Sequence, residues 1–263
     1  MSGFCLLIPP AEGKASGGTL PNGLPHPFDG GFSMLHQPRQ VLYNQLCANL
    51  KRASGLDKLF GVKGKALLDA VLANEEVQTG RLLPVLDRYA PGVMYRALDF
   101  AQVLPNVQLV LLENTIVFSG LFGLLRLDDL IPLYKLKMEA VLWEFGRVSA
   151  YWKPILSPIL NREVAHKTVW DLLPTAHQAA WEDGGTYRYR VQCAFMEEKN
   201  GNRKPVSHGV KPLRGELIRY LAEHRISTPE DLQFWKPSTG FRMDPGATRI
   251  ASEGKKMTLV FVK

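Results

Sequence analysis

The chain has 263 residues, 46% of them hydrophobic and 22% charged, with a mean hydropathy of −0.08. That balance excludes a disordered, collagen-like or fibrous chain, and the length suits one large domain. Lys and Arg number 32 against 25 Asp and Glu, leaving a formal charge of +7, which favours polyanionic partners such as nucleic acid, or a phosphorylated ligand.

Phe4–Ile8 is a short apolar run closed by Pro9 and Pro10, which predicts a buried strand that ends where proline removes the N–H. The N-terminus has no basic stretch and no small-residue cleavage site, so no secretory signal is read and the expected compartment is the cytoplasm. From Glu12 to about Gly31 the chain is rich in Gly and Pro and reads as an irregular surface loop. From about Arg39 to Val77 the pattern turns helical, with Val41, Leu42, Leu46 and Leu50 at helical spacing and Ala66, Leu67, Ala70 and Val71 repeating it. Between them, Leu59-Phe60-Gly61-Val62-Lys63-Gly64-Lys65 is a short turn of the helix–hairpin–helix kind. In such an element, N–H groups at the second helix hold a backbone phosphate without reading bases. Its glycine spacing is one residue away from the usual Gly-hydrophobic-Gly, and a tight turn with solvated lysines is the simpler alternative. A Walker A loop is excluded, because only Val62 and Lys63 separate the glycines and Ala66 follows Lys65.

Leu82–Asp99 reads as one or more helices around Tyr89 and Tyr95, broken at Pro91-Gly92. Val107–Leu112 reads as a strand or buried segment, Thr115–Phe118 as a strand ending at Ser119-Gly120, and Leu121–Leu125 as a short helix ending near Arg126. The run Val103–Val117 is interrupted by Pro105, Asn106, Gln108, Glu113 and Asn114 and falls short of the roughly 20 apolar residues of a membrane span. Further strands are predicted at Val169–Leu172, Tyr187–Phe195 and Met257–Val262, with a turn at Lys199–Asn202 and Val206–Gly209 returning beside the middle one. Leu213, Leu217, Ile218 and Leu221 form a helical stripe with Lys211, Arg214, Arg219 and Arg225 on other faces. Thr228-Pro229-Glu230-Asp231 has the cap, proline and acids of another helix start. Without a regular βαβ period, these elements predict a mixed α/β (α+β) fold with a central mixed sheet. It forms one domain over 1–263 with a helical insertion at about 39–80.

Cys5, Cys47 and Cys193 stand singly, and the six histidines show no HxH, HxxxH or HExxH pairing. Neither a disulfide framework nor a metal site is expected, and no cofactor is evident.

Three segments combine charge with backbone-bending residues: Pro9–Lys14, Ser119–Met138 and Ser207–Gly215. Ser119-Gly120 follows a strand, where ligands dock outside the carboxyl ends. Arg126 and Asp129 are expected to form an ion pair, whether at a site or merely pinning a turn. Tyr134 and Lys135 can present a phenol and an ammonium to an anion. Lys211 and Arg214, three apart near a helix start, share one face and with Lys14 can build an anion pocket; a solvated basic face is the alternative. Glu12, Asp129 and Tyr134 are the acid–base candidates.

Taken together these segments resemble the YaaA family, bacterial cytoplasmic proteins linked to protection from peroxide stress. The resemblance rests on Pro9-Pro10-Ala11-Glu12-Gly13-Lys14 and on Ser119 through Arg126 with Asp129, Pro132, Tyr134 and Met138. It continues through Tyr151-Trp152, Leu160-Asn161, Asp171-Leu172 and Glu198-Lys199-Asn200-Gly201, then Ser207, Lys211 and Arg214-Gly215. It implies a single compact α/β domain with a cleft lined by basic residues, a helix–hairpin–helix-like element where the Lys63/Lys65 turn falls, and a role tied to DNA binding and to limiting oxidative damage. Lys135 stands where the family commonly has Arg, losing a bidentate fork. After Asp171-Leu172, Pro174, Ala176 and His177 replace a Ser, an acid and a Tyr, so a hydroxyl and a carboxylate are absent.

Two functions remain open. One is sequence-nonspecific binding of duplex DNA through Lys51, Arg52, Lys63 and Lys65. The other is an enzyme acting on a small anionic or nucleotide-like molecule, held by Lys14, Ser119, Arg126, Lys135, Lys211 and Arg214, in a specialised biosynthetic pathway. A scaffold role would use Trp235 or Phe241 if exposed. No membrane partner is expected, and a monomer is the expected state.

Overall fold

The computed structural model describes residues 3–263 apart from Pro25, Ala53, Ser207, His208 and Ser252. Strand β1 (Phe4–Ile8) is buried at every position, as its uninterrupted apolar run requires of a strand covered on both faces. It is an inner strand of a nine-stranded mixed sheet completed by β2 (Thr115–Ser119), β3 (Gly123–Leu125), β4 (Thr168–Asp171), β5 (Tyr189–Lys199), β6 (Asn202–Pro205), β7 (Arg242–Met243), β8 (Arg249–Ile250) and β9 (Lys256–Val262). The order is β7-β9-β5-β4-β1-β2-β3, with β6 on β5 and β8 on β9. β9, β5, β4, β1 and β2 pair in parallel, with Leu6 opposite both Thr115 and Trp170. The remaining strands pair antiparallel at the margins. From β1 the chain goes to β2 on one side and comes back to β4 on the other, so the strand order reverses at β1 and β4. The carboxyl ends of those two strands frame the crevice in which an open parallel sheet receives ligands.

The helices are α1 (His36–Leu50), α2 (Leu56–Phe60), α3 (Lys65–Glu75), α4 (Val85–Tyr89), α5 (Val93–Leu98), α6 (Pro105–Asn114), α7 (Val148–Glu163), α8 (Thr175–Gln178) and α9 (Val210–Glu223). Four expectations change. Val107–Leu112 is α6 rather than a strand. Pro105 opens it at a position where its missing N–H is harmless, and its apolar residues lie on several faces, so periodicity does not separate the two readings. Leu121–Leu125 is a tight turn into β3, because Gly123 adopts φ +69° and the Ser119 hydroxyl accepts the Phe122 N–H at 3.1 Å. The strand beside β5 begins at Asn202 rather than Val206, since Asn200 and Gly201 both take positive φ and reverse the chain at once. Ser207 and His208, part of the expected return strand, lie outside the described residues. Finally, Trp235 and Phe241 are buried, packed with Phe195 and Phe261, and offer no exposed aromatic surface.

Two arginines lie wholly inside. Arg39 donates to the carbonyls of Phe28 at 2.7 Å, Leu124 at 2.8 Å and Phe122 at 2.9 Å, joining α1 to the early loop and to β3. Arg88 donates to the carbonyls of Arg81, Ile131, Gly17 and Ala15, and its own carbonyl accepts from the Ala15 N–H. The guanidinium fork can satisfy several buried carbonyls at once. In this way an irregular loop is held without a strand. No helix among the described residues is long and apolar enough to cross a membrane.

Candidate functional site

The cleft opens where β1 and β4 end, with a cavity of about 450 Å³. β1 is followed by Pro9–Lys14, which forms one wall, and β4 leads into Pro174–His177, which forms another. The start of α5, the extended segment Tyr134–Glu139 and the first turn of α9 complete it. Glu12, Lys14, Tyr134, Lys135, Lys211 and Arg214 are thus brought to one cavity from segments far apart in the chain.

Lys14 is the most perturbed cation. Its Nζ donates to the Ala11 carbonyl at 3.0 Å and lies 4.4 Å from the centre of the Tyr134 ring and 5.6 Å from that of Tyr89. Burial pushes its pKa down to about 7, helped by Lys135 and Arg88 and opposed by Glu12. Aromatic faces offer a cation a weak partner, not a counter-charge. The nearby acid Glu12 is exposed and approaches Lys137 instead, at 3.8 Å.

Tyr134 supplies a wall more than a free hydroxyl. Its OH is 2.6 Å from the Tyr89 OH and 2.8 Å from the Ser119 Oγ, all three residues being buried. Burial pushes its pKa up to about 12 although both hydrogen bonds favour the phenolate. Ser119 therefore stands behind Tyr134 and does not line the cavity. Lys135 is held by its backbone: Asn74 of α3 accepts its N–H and donates to its carbonyl, both at 2.9 Å.

Arg214 and Lys211 come from α9, which packs on α5 through Gly215. A Cβ there would collide with the Met94 carbonyl oxygen, so the close approach that brings Arg214 to the cleft requires glycine. Arg214 is partly buried, and burial lowers its pKa against the pull of Asp171. Asp171 itself is bound by Arg190 at 2.6 Å and by the Leu173 N–H at 3.0 Å, which fixes the end of β4. His177 also lines the cavity. Its Nδ1 is buried without a partner among the described residues, and burial lowers its pKa to about 4, so the imidazole is neutral.

Arg126 and Asp129 do not form the expected ion pair. Arg126 reaches Glu163 of α7 at 2.6 Å and stacks on Phe32, while the Asp129 carboxylate accepts the N–H groups of Arg126 and Gly31. These backbone donors take one position on each Asp129 oxygen and pin a turn, while the arginine side chain turns to another acid. Neither residue lines the cavity. Lys51, Arg52, Lys63 and Lys65 are exposed. Gly61 and Gly64 both have positive φ between α2 and α3; Lys65 pairs with Asp69 at 3.0 Å, and Arg52 lies over Trp143 at 4.2 Å.

Sequence reasoning missed Lys137, Asn74 and Arg88, and did not place His177 in the lining. For His177 a signal existed, since Pro174, Ala176 and His177 were already the unusual residues after β4. Among the described residues no group of three or more His, Cys, Asp or Glu is placed to hold a metal ion.

The family model for the peroxide stress protein YaaA matches residues 4–247. A UPF0246 protein of Streptomyces coelicolor is 31% identical over 225 residues, 82% of each chain. One from Corynebacterium glutamicum is 32% identical over 86% of this chain and 89% of its own. A Neisseria meningitidis relative is 34% identical over 54% of this chain and 57% of its own.

Proposed function

This chain belongs to the YaaA family of peroxide stress proteins, and from that premise we propose that its function lies in the cleft, as an enzyme acting on a small anionic, nucleotide-sized molecule. The observation that carries this reading is the cluster of Lys14, Lys135, Lys211 and Arg214 around one cavity of about 450 Å³. Among the described residues, the partners of Lys14 are a carbonyl and aromatic faces. Cations brought together against their mutual repulsion, in a recess of small-molecule size at a strand-order reversal, suit an anionic ligand that neutralises them. Duplex DNA is too broad to enter a recess of this size, whereas the phosphate or carboxylate of a small molecule suits it.

The test is thermal stability of the purified protein with inorganic phosphate and a panel of nucleotides. A saturable rise in melting temperature is expected, diminished in Lys211→Ala and in Arg214→Ala. No rise with any anion, in protein that folds normally, rejects the reading.

A second reading is favoured by one feature, the exposed Gly61–Gly64 turn with Lys63 at its tip. Such a turn suits sequence-nonspecific contact with duplex phosphates. It predicts steep loss of duplex binding with salt, weakened by Lys63→Ala and unaffected by nucleotides in the cleft.

A further inference from the structure

We infer that Lys14 is a covalent amine, condensing with the carbonyl carbon of a small anionic carbonyl compound, a keto or aldehydo acid, to form an iminium link. This rests on the reading of the cleft as an anion site and names its substrate class.

The geometry separates Lys14 from the other cations of the cleft. Lys211 is exposed, and Lys14 is partly buried like Lys135 and Lys137, so its contacts set it apart rather than its exposure. Lys14 is set over the Tyr134 ring, donates to a carbonyl, and leaves Glu12 to Lys137. A lysine kept only for its charge is better served by solvent or a carboxylate. The loop behind it is clamped, because Arg88 donates to the carbonyls of Ala15 and Gly17, and so the amine is held in place.

The charges facing Lys14 are Lys135, Arg88 and Glu12, and the phenols are Tyr89 and Tyr134, both kept neutral by burial. With its pKa lowered to about 7 by burial, the amine gives up its proton near neutral pH far more readily than an ordinary lysine, and the unprotonated state is the one a nucleophilic lysine needs. Lys135, Lys211 and Arg214 remain to hold the acid group of the substrate, and the neutral His177 imidazole is a proton acceptor in the same lining.

In the step itself the unprotonated Nζ adds to the carbonyl carbon while the π pair moves to oxygen. The oxygen gains one proton from the nitrogen and one from solvent. The C–O bond then breaks, water leaves with its electron pair, and the nitrogen lone pair closes the C=N bond. Amine, carbonyl and one proton become iminium and water, with no oxidant or reductant.

The whole protein is incubated with glyoxylate or pyruvate and cyanoborohydride, which delivers hydride to C=N and fixes the adduct, and labelled peptides are identified by mass. Lys14 is expected to label at least about tenfold faster than the exposed Lys51 and Lys63, with a rate that levels off above pH 7–8, not near the ordinary lysine value of about 10.4. Lys14→Arg, checked for a cooperative thermal transition, is expected to lose that label, while Lys63→Arg keeps it. Labelling of Lys14 no faster than Lys63 in the wild type, or a rate still climbing toward pH 10, overturns the inference. If phosphate nevertheless raises the melting temperature through Lys211 and Arg214, the anion site stands and only its covalent amine falls. If phosphate also has no effect, both fall.

Discussion

The cleft and the Gly61–Gly64 turn carry the same kind of side chain and differ in what surrounds it. At the turn, Lys63 and Lys65 are exposed, and Lys65 has an aspartate one helical turn away. In the cleft, Lys14 is partly buried against aromatic rings, and Arg214 is partly buried with Asp171 as its opposing charge, already held by Arg190. Solvated cations cost little to keep, so their presence says little about a partner. Enclosed cations disfavour their own charged state, and the fold keeps them only because other contacts offset the cost. Burial and pairing, more than the number of charges, therefore mark the site.

The sharpest way to break this comparison is to loosen what holds the cleft. Arg88→Met removes the donor for four carbonyls, that of buried Ile131 and the less enclosed ones of Arg81, Gly17 and Ala15. It is expected to cost about 3 kcal/mol or more in a urea titration, and to weaken phosphate binding because the segment after Lys14 loosens. An effect below about 1 kcal/mol would mean that the loop is held otherwise. Gly215→Val ranks next. The new side chain has no room against Met94 and Ala97, so α9 must move, at about 2–3 kcal/mol, and Arg214 moves with it; unchanged anion binding would contradict that coupling.

Lys14→Met tests the enclosed charge through pH. The native pKa of about 7 lies below the ordinary 10.5, so between these values the unfolded chain binds more protons and stability rises with pH. Below about pH 7 the full penalty stands. The variant is therefore expected to be more stable than wild type at pH 6, by about 1–2 kcal/mol after allowance for partial exposure, with the gap closing toward pH 10. A gap that does not vary with pH would place the charge in solvent. The smallest effect is expected at the turn: Lys63→Ala with Lys65→Ala leaves stability within about 0.5 kcal/mol. If duplex DNA binds there, the pair lowers the salt slope by about two.

Much of this was readable from the chain. β1 announced itself through five apolar residues and two prolines, and α9 through its stripe, because local pattern and tertiary role coincide there. α6 was ambiguous because its apolar residues spread around the helix. α7 has no signal of its own in the sequence because Pro154 and Pro158 lie within it, and proline normally argues against a helix interior; the buried Trp152 indole, which donates to the Gly120 carbonyl at 2.9 Å, ties the helix to the sheet. At the site, Lys14, Lys135, Lys211 and Arg214 were legible as charged residues in bent segments. Asn74 and Arg88 were not, since each acts on backbone groups of another segment, and no spacing rule connects residue 74 to 135 or 88 to 15. The Arg126–Asp129 pairing failed for a related reason. Proximity in sequence suggested it, but backbone N–H groups reached the carboxylate first.

The place of β1 has a consequence in time. Phe4–Ile8 leaves the ribosome well before β4, which closes one of its edges and whose last residue, Asp171, follows Ile8 by 163 residues. At about 5–20 residues per second, synthesis takes roughly 10–30 s to cover that interval. For that period a wholly apolar strand has an unfilled edge, open to any other nascent chain. Slower translation lengthens that exposure, and so the time in which the strand can pair with the wrong edge.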